Sequence, residues 1–201
     1  MDSTPLSLTA ILERLAAIAA QRDSDFPASL QPGLSREALR ARLAEAGFAY
    51  EPPQEWFELY QWHNGSTSGT PLFYYHEFMS VEEALAERKV LDQGNRESDC
   101  ELWPTNILPL FYFSGEFYAI ECHAEPQATG RIWFVFHDTI VCYDGLTSML
   151  AAKQGCYETG IYWDEDEDGY EEVADEAACA TILLKHNPIR AEMGLAAHYH
   201  P

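Results

Sequence analysis

Five consecutive acidic residues, Asp164, Glu165, Asp166, Glu167 and Asp168, run into Gly169 and form the most charged segment of the chain. Asp164, Asp166, Asp168 and Gly169 have the spacing with which a calcium loop opens: carboxylates on alternate residues, then a glycine for the sharp turn. Continuing that register puts Tyr170 at the carbonyl position, Glu172 at the ninth position and Asp175 at the twelfth. The twelfth position needs the longer arm of a glutamate for bidentate ligation, and the eighth, ordinarily apolar, is Glu171. The flanks read as strands, so the same residues also fit a hairpin with Asp168-Gly169 at its tip. Weak cation binding by the clustered carboxylates stays open beside that reading.

The segment also suits a protein partner. From Glu158 to Glu176 there are ten acidic residues and no basic one, with Tyr157, Tyr162, Trp163 and Tyr170 interleaved. Rings beside carboxylates offer ion pairs and cation–π contacts to Arg and Lys. The candidate partner-binding residues are therefore Trp163, Asp164, Glu165, Asp166, Glu167, Asp168, Tyr170, Glu171 and Glu172, with Trp163 as the exposed anchor. A solvated charged hairpin is the bland alternative, and the neighbourhood of Asn64-Gly65 is a second candidate surface. The whole chain carries 33 acidic against 12 basic residues, a net charge of −21. Such a surface repels phosphates and anionic lipid, so neither direct nucleic-acid binding nor membrane binding is expected, and it attracts basic proteins.

Other combinations offer less chemistry. Cys122 and His123 adjoin, but neighbouring strand residues point to opposite faces and form no thiolate–imidazole pair. His63, His76 and His137 sit beside turns or strand ends and show no metal-pair spacing, while His198-x-His200 lies in a terminal tail. The five cysteines, Cys100, Cys122, Cys142, Cys156 and Cys179, are odd in number and contain no Cys-x-x-Cys, which fits buried free thiols in a reducing compartment. There is no G-x-S-x-G elbow, and no Gly-rich phosphate loop precedes a helix. No catalytic residue, metal or cofactor is expected. Leu15 to Ala20 is apolar, but Asp2, Glu13 and Arg14 do not suit a signal peptide, so a cytoplasmic location is expected.

These residues need a frame. At 201 residues and 47% apolar content the chain can form one globular domain. A Thr4 cap and Pro5 open a first helix with Leu8, Ile11, Leu12, Leu15 and Ile18 on one face; residues 22–32 read as loop; Ser35 caps a second helix that Gly47 stops. Pro52-Pro53 opens a short helix that Asn64-Gly65 ends. Residues 72–75 read as a strand. Ser80-Val81-Glu82-Glu83 is a capping box for a helix through Leu91, and residues 93–101 read as an exposed loop. Strands follow at 107–113, 117–122, 132–136 and 140–143, then a helix at 146–154, an acidic hairpin of 157–163 with 170–173, and a helix capped by Asp175 and stopped by Asn187-Pro188. Trp56, Trp62, Trp103 and Trp133 are expected in the core. The order predicts a single α+β domain, residues 1–201: N-terminal helices packed on a twisted, mainly antiparallel sheet, with a C-terminal acidic hairpin and helix. Its core spans about residues 8–188, and residues 189–201 are expected to be a loosely ordered tail.

Several segments together resemble the SUKH superfamily, which includes fungal cell-wall synthesis regulators and many bacterial immunity proteins. Residues 53–65, ending in Trp62-His63-Asn64-Gly65, resemble its short helix and W-x-N-G stop. Residues 106–111 resemble its "lPl" strand, residues 130–138 its "G-x-v-w" strand and residues 146–150 the helix after the sheet. Residues 160–188, with the acidic hairpin and the closing Lys185-His186-Asn187-Pro188, resemble the extension of some bacterial members. Ser66-Thr67-Ser68-Gly69-Thr70 replaces the Gly-rich or acidic stretch that often follows the Asn-Gly. The resemblance implies helices on a twisted sheet and a role in binding proteins: in bacteria, neutralising a cognate toxin, often a nuclease, and elsewhere a regulatory or scaffold role. It brings no catalytic residues.

Overall fold

Ser7 accepts a hydrogen bond from the Ala10 amide and so starts α1 (Leu8–Gln21), whose buried Leu8, Ile11, Leu12, Leu15 and Ile18 recur at helical spacing. A computed structural model describes residues 7–22, 24–67, 71–73, 75–98, 103–165 and 171–196, and only the backbone at 73, 162–165 and 171–172. Thr4, expected as the first cap, lies outside the described residues. Residues 24–32, expected as loop, instead contain α2 (Phe26–Ser29), whose Phe26 is buried, and β1 (Leu30–Pro32). α3 (Arg36–Glu45) starts at the Ser35 cap and ends before Gly47, and α4 (Gln54–Trp62) starts after Pro53. Asn64-Gly65 does not end that helix in a left-handed turn: His63 is extended and opens β2 (His63–Ser66), which pairs antiparallel with β1.

β3 (Pro71–Phe73) and β4 (His76–Phe78) replace the single strand expected at 72–75. α5 (Val81–Glu97) has the expected capping box but runs through residues 93–97, which read as loop. The antiparallel run follows: β5 (Ile107–Phe113), β6 (Glu116–Glu121), β7 (Ile132–Val135) and β8 (Thr139–Tyr143). Together with β3 and β4 these form one six-stranded sheet in sequence order, antiparallel throughout. α6 (Leu146–Glu158) is a turn longer than expected and takes in Tyr157. β9 (Tyr162–Glu165) and β10 (Glu171–Val173) make the hairpin, and α7 (Glu176–His186) begins at its Asp175 cap. The fold is α+β. Among the described residues, no helix is long and apolar enough to cross a membrane.

The sheet is buried on both sides along its middle strands. Leu108, Leu110, Tyr118 and Ile120 join the large core built with α1, α4, α6 and α7. The alternating residues Ile107, Phe117 and Ala119 join a smaller cluster with Met79, Ala84 and Trp103. Of the tryptophans expected in the core, Trp56 and Trp103 are buried, and Trp62 and Trp133 are half-buried. The chain does not loosen at Pro188. Ile189 and Arg190 open α8 (Ile189–Glu192) and are both buried, and Arg190 Nη1 donates to the Cys142 carbonyl (3.3 Å) with its guanidinium over the Tyr143 ring.

Candidate partner-binding surfaces

The acidic hairpin exists as a backbone unit. Glu171 stands opposite Glu165 and Glu172 opposite Asp164, so the register sets acid against acid, and it shifts by a bulge before Val173. Asp166, Glu167, Asp168 and Tyr170 lie outside the described residues, as does the loop geometry a calcium ion would need. Trp163, Asp164, Glu165, Glu171 and Glu172 are placed by their backbone only.

A second surface is described in full. α5 turns two faces to the molecule: Ala84, Leu85 and Arg88 point inward, while Glu83, Ala86, Glu87 and Val90 form a stripe at i, i+3, i+4 and i+7. That stripe is one wall of a groove of about 380 Å³. The other wall is Glu77, Phe78 and Met79 of the β4 segment, Tyr112 of β5 and Ser66 of β2. Glu77 and Tyr112 are direct partners in the β4–β5 register and so share a sheet face. Val90 is 62% exposed and Tyr112 38%, both on this groove. Among the described residues no lysine or arginine lines it; Arg88 and Lys89 line a separate cleft beside Phe48 and Tyr50. Residue spacing already holds the helical stripe. The opposite wall combines residues 77–79, just before the helix, with Ser66, seventeen residues before Glu83, and Tyr112, twenty-two after Val90, and these share no single spacing.

The Asn64-Gly65 pair sits behind this groove and holds its wall in place. The Val81 amide donates to Asn64 Oδ1 (3.0 Å) and Asn64 Nδ2 donates to Glu82 (3.0 Å), fastening the start of α5 to β2. Gly65 has φ +81°, and a Cβ there would lie 2.5 Å from the Ser80 amide nitrogen, so no other residue fits. Ser66 Oγ donates to the Phe78 carbonyl (3.3 Å). Burial pushes the Glu82 carboxyl up, but hydrogen bonds from Asn64 and Arg42 outweigh it and hold the group below the usual carboxylate range.

Of the residues weighed for catalysis, Cys122, His63 and His76 take part in the packing or pairing of the fold. Cys122 is fully buried, and burial pushes its thiol well above the ordinary range, the opposite of an activated nucleophile. Cys142, Cys156 and Cys179 are also buried free thiols, with Cys156 Sγ and Cys179 Sγ 3.7 Å apart between α6 and α7; Cys100 lies outside the described residues. His63 Nδ1 donates to the Gln31 carbonyl (2.7 Å) across β1–β2. His76 is buried against Tyr118, with Glu116 3.7 Å from Nε2, and His137 is exposed at the β7–β8 connection; His198 and His200 lie outside the described residues.

Two buried polar side chains organise the C-terminal half: Glu55, which carries no signal in the sequence, and Asn187, read there only as a helix stop. Glu55 (4% exposed) accepts from the amides of Leu146 (3.1 Å) and Thr147 (2.8 Å) at the start of α6. Asn187, fully buried, accepts from the Asp144 amide and Ser148 Oγ and donates to the carbonyls of Ser148 and Leu183, tying β8, α6 and α7 together. The segments that carry the family resemblance thus contribute packing and caps: the Trp62–Gly65 corner, the β5 core strand and the Asn187 junction. Comparison of the chain with protein-family models and with curated proteins gives no match in either case.

Proposed function

We propose that the chain is a non-catalytic protein-binding domain, an immunity protein of the SUKH type that neutralises a toxin in the cytoplasm by binding it directly. The observation that carries this reading is the state of its charges. The net charge is −21, and Arg14, Arg40, Arg42 and Arg88 are paired with Glu158, Glu51, Glu82 and Asp92. These four arginines are paired within the molecule, and the 33 acids far outnumber all 12 basic residues, so surplus acids are left for a basic partner. The sequence interleaves acids with rings in the acidic hairpin, and the α5 groove sets Glu77 and Glu87 beside Val90 and Tyr112, which supports an interface and not mere solubility. Against a nuclease, these carboxylates stand in for the phosphates of its substrate.

The test pairs the purified full chain with the toxin domain encoded beside its gene. An equimolar amount abolishes toxin activity, and association slows as salt rises from low ionic strength to ~0.5 M, because screening removes the steering. Undiminished toxin activity in excess chain overturns the proposal.

A further inference from the structure

We infer that the groove between α5 and β4–β5 seats an apolar side chain of the partner protein, flanked in the partner's sequence by lysine or arginine. This deepens the protein-binding reading above and rests on it. Val90 carries the first part of the argument. It is a β-branched residue in the middle of α5, where it costs helix propensity, and it is 62% exposed, so it gains little burial in return. Across the groove stands Tyr112, an aromatic ring 38% exposed that lines the groove while packing at 5.2 Å against the Phe117 ring. A space of about 380 Å³ between them fits one large apolar side chain with its adjoining backbone.

Charge names the chemistry of what flanks that side chain. Glu77 stands on the sheet wall and Glu87 on the helix wall, so carboxylates face the groove from both sides. Among the described residues neither carboxylate makes a hydrogen bond or an ion pair, whereas that of Glu83 is occupied by the amide and hydroxyl of Ser80. With no basic residue among the described residues of the lining, an anionic lipid or a nucleic-acid backbone is repelled from this surface. An apolar side chain between cations satisfies both features at once, filling the floor while its neighbours reach Glu77 and Glu87. The wall itself is rigid, because Asn64, Gly65 and the capping box fix the start of α5.

The experiment titrates the full ¹⁵N-labelled chain at ~0.15 M salt with two probes: a short blocked peptide of paired leucines between lysine and arginine residues, and the same peptide with serines for the leucines. The leucine probe is expected to bind saturably, at least about tenfold more tightly than its serine counterpart. Its amide shifts should concentrate on Val90, Tyr112 and their neighbours. Val90→Ser with Tyr112→Ser, and separately Glu77→Gln with Glu87→Gln, should each weaken it about tenfold, with the amide spectrum otherwise native. Glu125→Gln with Glu192→Gln, the same loss of charge on exposed residues elsewhere, should leave binding unchanged. Equal affinity for the two peptides, shifts scattered over the acidic surface, or no binding to the unaltered chain overturns the inference. Toxin inhibition keeps the two readings apart: groove variants that still inhibit sink the groove and spare the immunity function, and an unaltered chain that never inhibits sinks the function itself.

Discussion

α5 and α6 begin at buried ends that must dispose of free amides, and they do it by opposite means. α5 is capped from nearby: the Glu83 amide donates to Ser80 Oγ (3.2 Å), the Ser80 amide donates back to Glu83 (2.7 Å), and Asn64 reaches Val81 from β2. α6 has Gly145 before it and no cap of its own; the carboxylate of Glu55, some ninety residues earlier, takes the Leu146 and Thr147 amides. A buried carboxylate is costly unless fully paired, and a helix N-terminus pairs it with two amides and the positive end of the dipole. The local cap makes α5 a nearly self-sufficient wall for the groove. The remote cap makes α6 depend on the docking of α4.

That contrast can be broken by substitution. Glu55→Ala strands two amides and should lower the unfolding free energy by about 3 kcal/mol, read by urea denaturation. Glu55→Gln should lose less, since one acceptor oxygen remains. At α5, Asn64→Ala should cost about 2 kcal/mol and Ser80→Ala about 1 kcal/mol. Losses at α5 equal to that at Glu55 would show that the local cap is no more autonomous than the remote one.

Glycines sharpen the comparison further. A Cβ on Gly94 of α5 meets nothing within 4 Å, whereas one on Gly155 of α6 lies 3.3 Å from Ile182 Cγ2 on α7. Gly94→Ala should therefore stabilise by about 0.5–1 kcal/mol, seen as a raised Tm, while Gly155→Ala should bring no such gain. The smallest effect is in pH. Glu82 has a lower pKa in the folded chain than in the unfolded one, so its contribution is complete above the ordinary carboxylate value of ~4.3 and is lost as pH falls through its folded value. Glu82→Gln should flatten the acid limb of a stability–pH profile and leave the neutral region in place. An unchanged acid limb would mean that the Asn64 and Arg42 bonds do not hold the charge.

Legibility in the sequence followed the same division. The caps at Ser35, Ser80 and Asp175 and the strands β5 to β8 were readable because each rests on residues a few positions apart. The last turn of α5 was not, because residues 93–97 look polar and loop-like. Asn95 there donates to the Trp103 carbonyl (2.9 Å) and accepts from its amide (3.2 Å), a clamp visible only once the chain has folded back. The extra turn of α6 runs past the expected end at residue 154 through Gly155, which serves the close approach of α7; the stop is Gly160, at φ +77°. β1 and β2 are too short to carry a pattern and exist by pairing across the α3–α4 segment. Of the candidate surfaces, the hairpin was legible as a charge run between two strand-like flanks. The groove was not, since only its helical stripe has a spacing.

The sequence by itself determined the α+β class, the positions of the locally capped helices, the antiparallel meander and the acidity, because composition is fixed by the residues and propensity, capping and alternation act over one or two turns of chain. Tertiary structure alone decided that Glu55 caps α6, that Asn187 joins three elements, that Arg190 is buried beside Tyr143, and that Val90, Glu87, Glu77 and Tyr112 face one another across a groove. Those meetings depend on where distant segments dock, and docking is set by how whole faces fill a shared core, which no short window of sequence contains.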